Sequence, residues 1–394
     1  MAVSIGRGVL LASVVFLVID TFLTSFNEVF PNISNTRSLT GDDTSKGVFV
    51  DNFKNALEDN DSDDMSDTGN NVTVNLPASF SGFRDISDPR EHKREHKDDI
   101  EENDMSVPLF WHIPKSGGST MKGILAACYR MCMASDSFGV RGGHDQDEVI
   151  ARIHSDTYVN VEVASSNGIR RAKKMGLAQS GLAEIIVTPR VYEIASVFDE
   201  SHQGVVFAMF RHPVDRAVST FNYLSYATWE ETYNPKYAEM TLEEYGRGTL
   251  GEDSNWMVRM ITDRRGSAVT RADLEIAKEF LRKKVLVGLL SEIEESVERF
   301  DKFFRWTYSV NPKNQETCRS QEINEGANVN KEKKIEVPQP GSVAYELLVK
   351  QNYLDIELYE FAEALFKEQK AWFEDIPDGF RFVDSSCCKC EGTC

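Results

Sequence analysis

Short, almost wholly apolar segments alternate with amphipathic ones along this chain, and that alternation limits the folds open to it. Strands are predicted at VPLFWHI, YVNVEV, AEIIVTP, GVVFAMF and KKVLVGLL, and helical spacing follows most of them. Strands that are apolar on both faces belong in a parallel sheet covered by helices on either side. The sequence therefore predicts an α/β fold, with a P-loop-like parallel sheet flanked by helices.

The turn after the first predicted strand carries groups that suit an anion. It reads HIPKSGGST, with Lys115 placed before Gly117 and Gly118 and with Ser119 and Thr120 behind them. Glycines let backbone amides approach an anion closely, and the start of the following helix adds a favourable dipole. The lysine precedes the glycines, whereas in a Walker A loop it follows them. We predict a phosphate cradle here; the alternative is a tight turn with a solvated lysine.

A second predicted strand end repeats this design. In FAMFRHPVDRAVSTF, Arg211 leaves the strand and Ser219 follows two helical turns later. A guanidinium matches phosphate oxygens bidentately, so this pair suits a second phosphate group. The alternative is a surface ion pair between Arg211 and Asp215.

Together the two motifs resemble those of Golgi-type carbohydrate sulfotransferases, in particular the heparan sulfate type, over residues 107–375. These enzymes take a sulfuryl group from 3′-phosphoadenosine 5′-phosphosulfate (PAPS) and need no metal. The resemblance implies that Lys115 contacts the bridging oxygen of PAPS and that Arg211 and Ser219 hold its 3′-phosphate. It also implies that the 5′-phosphate lies against Ser116, Gly117, Gly118, Ser119 and Thr120.

The general base is less clearly marked. In VTPRVYEIASVF, similar sequences tend to show His-Glu where this chain has Tyr192-Glu193, so Glu193 is the first candidate. A working base should be partly buried, with a pKa moved toward neutrality. The other candidates are His154, His202, Glu162 and His144. For each candidate, the alternative is an ordinary surface residue without a catalytic role.

The acceptor is predicted to be a glycan or polysaccharide. NWMVRMI resembles a substrate-side segment of heparan-type enzymes, which implies acceptor contacts from Asn255 and Arg259. Basic clusters at 168–174, 263–265 and 282–284 could guide an anionic glycan, or could be ordinary solvated helix faces. The domain from residue 107 onward is net acidic, which argues against a long polyanion held along a broad surface.

The ends of the chain point to a luminal enzyme. Residues 1–30 contain an apolar run interrupted by Asp20 and are predicted to be a signal anchor; a cleaved signal or a buried segment is the alternative. Residues 31–106, with 18 acidic and 8 basic residues and three N-x-[ST] sequons, read as a flexible stem. Four of the seven cysteines lie in the tail, 376–394, and suit an oxidising compartment. We therefore expect a single-pass type II Golgi membrane protein with a luminal catalytic domain.

Composition and motif order also weigh against other functions. The formal charge of −19 disfavours binding to nucleic acid. A catalytically impaired, glycan-binding relative is one alternative, because Tyr192 departs from the pattern. A P-loop kinase or other NTPase is another, disfavoured by the position of Lys115 and by the lack of an obvious Mg²⁺-binding aspartate at a strand end.

Overall fold

A computed structural model describes residues 74–88, 106–228, 233–248, 254–306, 312–325 and 335–374. The predicted anchor, most of the predicted stem and the cysteine-rich tail lie outside the described residues. Within the described ranges, no helix combines the length and the apolar character that crossing a bilayer requires.

Within these described ranges, seven strands form one sheet. They are β1 (Val107–Trp111), β2 (Met133–Ser135), β3 (Arg152–Ile153), β4 (Tyr158–Glu162), β5 (Ile185–Thr188), β6 (Gly204–Phe210) and β7 (Val285–Leu289). Their order is β3-β4-β2-β5-β1-β6-β7. All neighbours are parallel except β3 and β4. The predicted parallel sheet is therefore present apart from the antiparallel edge strand β3, and β1 and β6 are adjacent inner strands.

The described part of the chain contains thirteen α-helices, most of which connect or cover strands. They are α1 (Gly118–Gly123), α2 (Ser166–Lys174), α3 (Leu177–Ser180), α4 (Val191–Ile194), α5 (Pro213–Leu224), α6 (Lys236–Glu239), α7 (Leu242–Gly246), α8 (Trp256–Thr262), α9 (Arg271–Lys284), α10 (Ile293–Phe304), α11 (Pro312–Glu325), α12 (Val343–Gln351) and α13 (Tyr353–Lys370). A π-helical turn, Ile124–Cys128, extends α1. Proline occupies the first position of α5, where its missing N–H costs no hydrogen bond.

The core lies on both faces of the sheet, because successive strand side chains point to opposite sides. Leu109 and Trp111 of β1 pack with α2, α4, α8, α9 and α13 on one face. Phe110, between them, packs with α1 and α10 on the other face. A third cluster joins α5, α7 and α12. The carboxyl ends of the parallel strands are consequently supported from both sides.

Three predictions about elements need correction. β2 and β3 were not predicted. The spacing of Met121, Leu125, Cys128 and Cys132 predicts a helix that reaches Cys132, but Cys132 lies just before β2. Apolar residues recur at helical spacing over residues 347–373, which predicts one long closing helix, but the structure has two helices, α12 and α13, which meet at Asn352. Part of the predicted stem is folded, because Phe80 and Phe83 are buried in the core and Phe83 pairs with the first residue of β6.

A disulfide bond joins Cys128, at the end of the π-helical turn, to Cys318 of α11, 190 residues later. Cys132 is buried and free. The bond fastens the helical segment that begins with α1 to a distant part of the chain.

Candidate active site

The two predicted anion-binding turns lie next to each other. β1 and β6 are hydrogen-bonded in parallel, with Trp111 paired to Ala208, so both strands end at the same side of the sheet. In open parallel sheets, ligands bind beyond the carboxyl ends of the strands. The Lys115 turn follows β1 and Arg211 follows β6, which places both at that side.

The Lys115 turn is shaped by its glycines. Lys115 and Gly117 both have a left-handed backbone, with φ of 65° and 80°. α1 begins directly after Gly117, and no side chain caps it. A side chain at Gly118 would overlap the imidazole of His112, so only glycine allows the start of α1 to pack this closely. The turn thus presents backbone amides at the carboxyl end of β1.

Arg211 is bound to the Lys115 turn itself. Its Nη1 donates a hydrogen bond of 3.1 Å to the carbonyl oxygen of Lys115. The ammonium nitrogen of Lys115 lies 4.4 Å from the centre of the Tyr223 ring. Burial, followed by the charge of Arg211, lowers the pKa of Lys115 to about 8. Two cations share this site, and among the described residues no carboxylate forms an ion pair with either.

Ser116 adds an unsatisfied polar group to the same turn. Its side chain is 1% exposed, and its Oγ has no hydrogen-bond partner among the described residues. A buried hydroxyl without a partner is costly unless a ligand or water satisfies it. Together with the two cations, this hydroxyl makes the turn suitable for an anion that carries several acceptor oxygens.

A buried polar cluster, which was not predicted from the sequence, packs against the Lys115 turn. Lys122 of α1 and Asp136 after β2 form a buried ion pair at 2.5 Å. His112, which contacts Gly118, is also buried, and burial followed by the charge of Lys122 lowers its pKa to about 3. Neutral His112 therefore acts as a packing and positioning group. In the sequence these three residues stand within or beside apolar runs, where nothing distinguishes them from surface polar residues.

A comparison with known families decides which chemistry this geometry serves. The model of a family described as the sulfotransferase family matches residues 103–362, which include both turns. The chain belongs to the sulfotransferase family. No curated protein matches the chain. The family transfers sulfuryl groups, generally from PAPS, and the seven-stranded α/β architecture fits it.

The remaining predicted donor contacts of this sulfotransferase lie on α1 and α5. Ser119 and Thr120 are in the first turn of α1, and Ser219 is on α5, two turns after Arg211. Ser219 and Ser119 are partly buried and Thr120 is buried. Their contacts with the phosphates of a nucleotide stay predictions. No group of three or more metal-binding side chains occurs within the described ranges.

Glu193 occupies a different part of the sulfotransferase domain. It lies on α4 and forms ion pairs with Arg190 at 2.9 Å and with Arg265 at 2.6 Å. Burial alone would raise its pKa, but hydrogen bonds from Ser166 and Arg190, with the charges of both arginines, lower it. No contact in the described structure joins Glu193 to the Lys115 turn. The carboxylate is ionised and only weakly basic, contrary to the shift expected of a base.

The other base candidates are placed less favourably. His154 lies in the turn that precedes β4 and His202 lies just before β6, both at the amino end of the sheet. The His144 ring packs edge-on against His154, with the ring centres 5.8 Å apart. Glu162, at the carboxyl end of β4, accepts hydrogen bonds from the amides of Ala164 and Ser165. The structure therefore does not bring these four residues to the Lys115 turn.

Asn255 and Arg259 have extensive internal bonding. Asn255 is 3% exposed, and its Oδ1 accepts hydrogen bonds from the amides of Leu354 and Asp355. Asp355 in turn accepts from the amides of Met257 and Val258 at the start of α8. The guanidinium of Arg259 donates to the backbone oxygens of Ser254, Arg264 and Ser267. These contacts give both residues a structural role, while the predicted contact with acceptor stays a prediction.

Proposed function

We propose that this sulfotransferase moves the sulfuryl group of PAPS to a hydroxyl of a carbohydrate acceptor. The observation that carries this proposal is the hydrogen bond between Arg211 and the carbonyl of Lys115, which joins the two cationic turns into one site. A ligand with a phosphate at each end can then bridge them. Because the chain belongs to the sulfotransferase family, the kinase alternative is set aside.

We assign the residues of the two turns to the two phosphate groups of PAPS. We assign the 5′-phosphate to the amides of the Gly117-Gly118 turn and to the hydroxyls of Ser116, Ser119 and Thr120. The 3′-phosphate is assigned to Arg211 and Ser219, which would distinguish PAPS from nucleotides that lack it. The unpaired Oγ of Ser116 supports this arrangement, because a phosphate oxygen would supply its missing partner.

Transfer itself requires charge stabilisation at the leaving phosphate. The bond between sulfur and the bridging oxygen breaks, a bond forms between sulfur and the acceptor oxygen, and the acceptor loses its hydroxyl proton. Lys115 would stabilise the negative charge that develops on the bridging oxygen, a role for which a positioned cation is suited. The products are the sulfate ester and 3′-phosphoadenosine 5′-phosphate (PAP).

Glu193 remains our proposed proton acceptor. Hydrogen bonds and the charges of two arginines lower its pKa and make it a weak base, which counts against a large contribution to catalysis. The same property supports a second candidate function, a relative that binds nucleotide and glycan but transfers poorly. The Glu193→Gln variant distinguishes the two functions. If Glu193 is the base, kcat should fall by about 10²-fold or more while the affinity for PAP is unchanged. Equal, very low turnover in wild type and variant would favour the impaired relative.

The decisive test of the site is Lys115→Ala. Loss of the cation at the leaving oxygen should lower kcat by about 10²–10³-fold or more, while thermal unfolding stays close to that of wild type. Transfer of labelled sulfate from PAPS to a glycan panel measures kcat, and calorimetry measures the thermal unfolding. Lys115→Arg is the control, since it keeps the charge. Wild-type turnover by Lys115→Ala would remove Lys115 from the mechanism.

We also propose that the enzyme is anchored in the Golgi membrane with its catalytic domain in the lumen. The predicted anchor and sequons support this, and so does the bond between Cys128 and Cys318, because disulfides persist in oxidising compartments. Protease protection of the domain in sealed vesicles, and a mass shift on removal of N-glycans, would test the topology. Digestion of the domain in sealed vesicles would contradict it.

A further inference from the structure

Lys115 is held at both ends by the part of the chain that follows β6. The Nη1 of Arg211, just after β6, donates to the carbonyl oxygen of Lys115 at 3.1 Å. The ring of Tyr223, near the carboxyl end of α5, has its centre 4.4 Å from the ammonium nitrogen of Lys115. One contact restrains the backbone of Lys115 and the other restrains its side chain, so both ends of the residue depend on β6 and α5.

The position of Tyr223 on α5 relates it to the proposed donor site. Tyr223 lies one helical turn after Ser219, and side chains at that spacing lie on the same side of a helix. Ser219 is the hydroxyl that we assign to the 3′-phosphate of PAPS. Ser219 is partly buried, and Tyr223 is 5% exposed. The same side of α5 therefore carries a proposed ligand of the donor and the ring that contacts Lys115.

The ammonium of Lys115 has no carboxylate partner in the described part of the chain. Its charged neighbour is Arg211, which acts together with burial to lower the pKa of Lys115. His112, whose pKa the charge of Lys115 also affects, is neutral, because burial and the charge of Lys122 lower its pKa to about 3. Among the described residues, the attraction that holds this ammonium therefore comes from the face of the Tyr223 ring.

An aromatic ring suits this position better than a carboxylate would. The face of an aromatic ring carries partial negative charge and attracts a cation, while the ring as a whole is uncharged. A carboxylate at the same place would pair with the ammonium and neutralise it, and an aliphatic side chain would not attract it. The ring can thus hold the ammonium in place and leave its charge available to the leaving phosphate of the donor.

We infer that Tyr223 is a positioning residue, whose ring face holds the ammonium of Lys115 at the place where the bridging oxygen of PAPS binds. The inference rests on the proposed function and adds a residue to its site. Tyr223 also packs in the core cluster that joins α5, α7 and α12, together with Tyr245. Packing alone would make Tyr223 matter for stability only, whereas positioning also makes the charge of Lys115 and the transfer rate depend on the ring.

Three replacements separate the ring face from the shape of the side chain. Tyr223→Phe keeps the face, and Tyr223→Leu removes it. A trifluorinated phenylalanine in place of Tyr223 keeps the shape, while its fluorine atoms withdraw the negative charge of the face. The affinity of each full-length protein for PAP is titrated in detergent as a function of pH.

In wild type and in Tyr223→Phe, we expect the affinity for PAP to decline above about pH 8, where Lys115 loses its proton. In the Tyr223→Leu and trifluorinated proteins the ammonium is less stable, so the decline should begin about half a pH unit to one unit lower. At pH 8 these two proteins should therefore bind PAP about twofold to fivefold more weakly than wild type.

Tyr245→Leu is the matched control. Tyr245 is a tyrosine of the same core cluster, is 6% exposed and has no contact with Lys115 in the described structure. Tyr245→Leu and Tyr223→Leu should lower the unfolding temperature by similar amounts, whereas only Tyr223→Leu should change the pH dependence of PAP binding. Tyr223→Leu should also lower kcat for transfer of labelled sulfate to a glycan panel about tenfold, with the acceptor KM unchanged.

Failure of the inference and failure of the proposed function give different results. The same pH dependence in Tyr223→Phe and in the trifluorinated protein would overturn the inference, even if Tyr223→Leu does not fold. A raised acceptor KM with an unchanged pH dependence would make Tyr223 an acceptor contact and would also overturn it. In both cases PAP still binds, so the proposed function stands. Absence of PAP binding by wild type would instead remove the proposed function, and the inference with it.

Discussion

Lys115 has a left-handed backbone, a partly buried side chain and a guanidinium bound to its carbonyl oxygen. A left-handed conformation costs a residue with a side chain about 1–2 kcal/mol. Its amide and carbonyl are thereby turned so that the carbonyl meets Arg211 while the ammonium stays near Tyr223. The fold therefore holds the cations of Lys115 and Arg211 close together before any anion binds.

The lowered pKa of Lys115 predicts a pH dependence. Burial and Arg211 disfavour the ammonium form, so the pKa falls from 10.5 to about 8, and the charge that catalysis needs is present below pH 8 and lost above it. We expect kcat/KM for PAPS to fall by up to tenfold per pH unit above this value. The decline in kcat should lie at higher pH, because a bound anion stabilises the ammonium. Lys115→Arg should abolish this alkaline decline; its persistence in that variant would assign it to another group.

Replacement of Ser116 by alanine should change the stability of the protein and its affinity for PAP in opposite directions. Ser116→Ala removes a buried hydroxyl that has no partner, so the free protein should be as stable as wild type or more stable, by up to about 1 kcal/mol. PAP should bind about fivefold to tenfold more weakly, because a hydrogen bond to phosphate is lost. Calorimetric unfolding and titration with PAP measure the two effects. A destabilised variant with normal PAP affinity would show that the hydroxyl serves the fold.

The sequence predicted Lys115 and Arg211 as anion ligands because glycines, hydroxyls and cations at strand ends have few other uses. Because both turns were assigned to one nucleotide, the two strand ends were also predicted to be neighbours, and β1 and β6 are adjacent. The direct hydrogen bond between Arg211 and the Lys115 carbonyl was not predicted. Nor were the arginine pairs around Glu193 predicted, since Arg265 lies 72 residues away in the chain.

Among the elements, α8 and α13 depend on each other at their first turns. Asn255 satisfies the amides of Leu354 and Asp355, and Asp355 satisfies those of Met257 and Val258. Each helix thus supplies a side-chain oxygen that accepts hydrogen bonds from the unpaired first-turn amides of the other helix. Asp355 also lies 3.9 Å from the guanidinium of Arg216 on α5, the helix that follows Arg211.

This exchange predicts the effect of Asn255→Ala. Two buried amides lose their acceptor and alanine must adopt a left-handed backbone, so the free energy of unfolding should fall by about 2–3 kcal/mol. Asn255→Gly is the matched control, because it removes the cap without the backbone strain and should cost about 1 kcal/mol less. Chemical denaturation measures both. Normal stability together with a raised acceptor KM would instead establish the acceptor contact that the resemblance implied.

Strands apolar on both faces were predictable, whereas short elements were not. All five predicted strands are present, but β2 has only three residues and β3 has two, too few to show a period. The division between α12 and α13 was also hidden, because apolar spacing continues across Asn352. There Asn352 donates its side-chain amide to the carbonyl of Leu348, which ends the first helix.

At the scale of the whole molecule, residues distant in the chain complete the domain. Phe80 and Phe83, in the predicted stem, pack against Phe280 of α9. The sequence could not place them, because two aromatic residues among polar ones show no periodicity. The folded region consequently begins well before residue 107, where the apolar pattern starts.

The bond between Cys128 and Cys318 predicts a large effect on stability. It closes a loop of 190 residues, so its removal should increase the entropy of the unfolded chain and lower the free energy of unfolding by about 2–5 kcal/mol. We expect Cys318→Ser to unfold several degrees below wild type. Cys132→Ser is the control for loss of a thiol without loss of the bond. Equal unfolding temperatures for Cys318→Ser and wild type would contradict the pairing.

The same bond constrains how the protein is made. A ribosome adds about 5–20 residues per second, so roughly 10–40 s separate the synthesis of Cys128 from that of Cys318. Throughout that interval Cys128 lacks its partner and lies only four positions from Cys132. This covalent closure can therefore form only after α11 has been synthesised, and any earlier pairing of Cys128 with another thiol would have to be undone before the native bond forms.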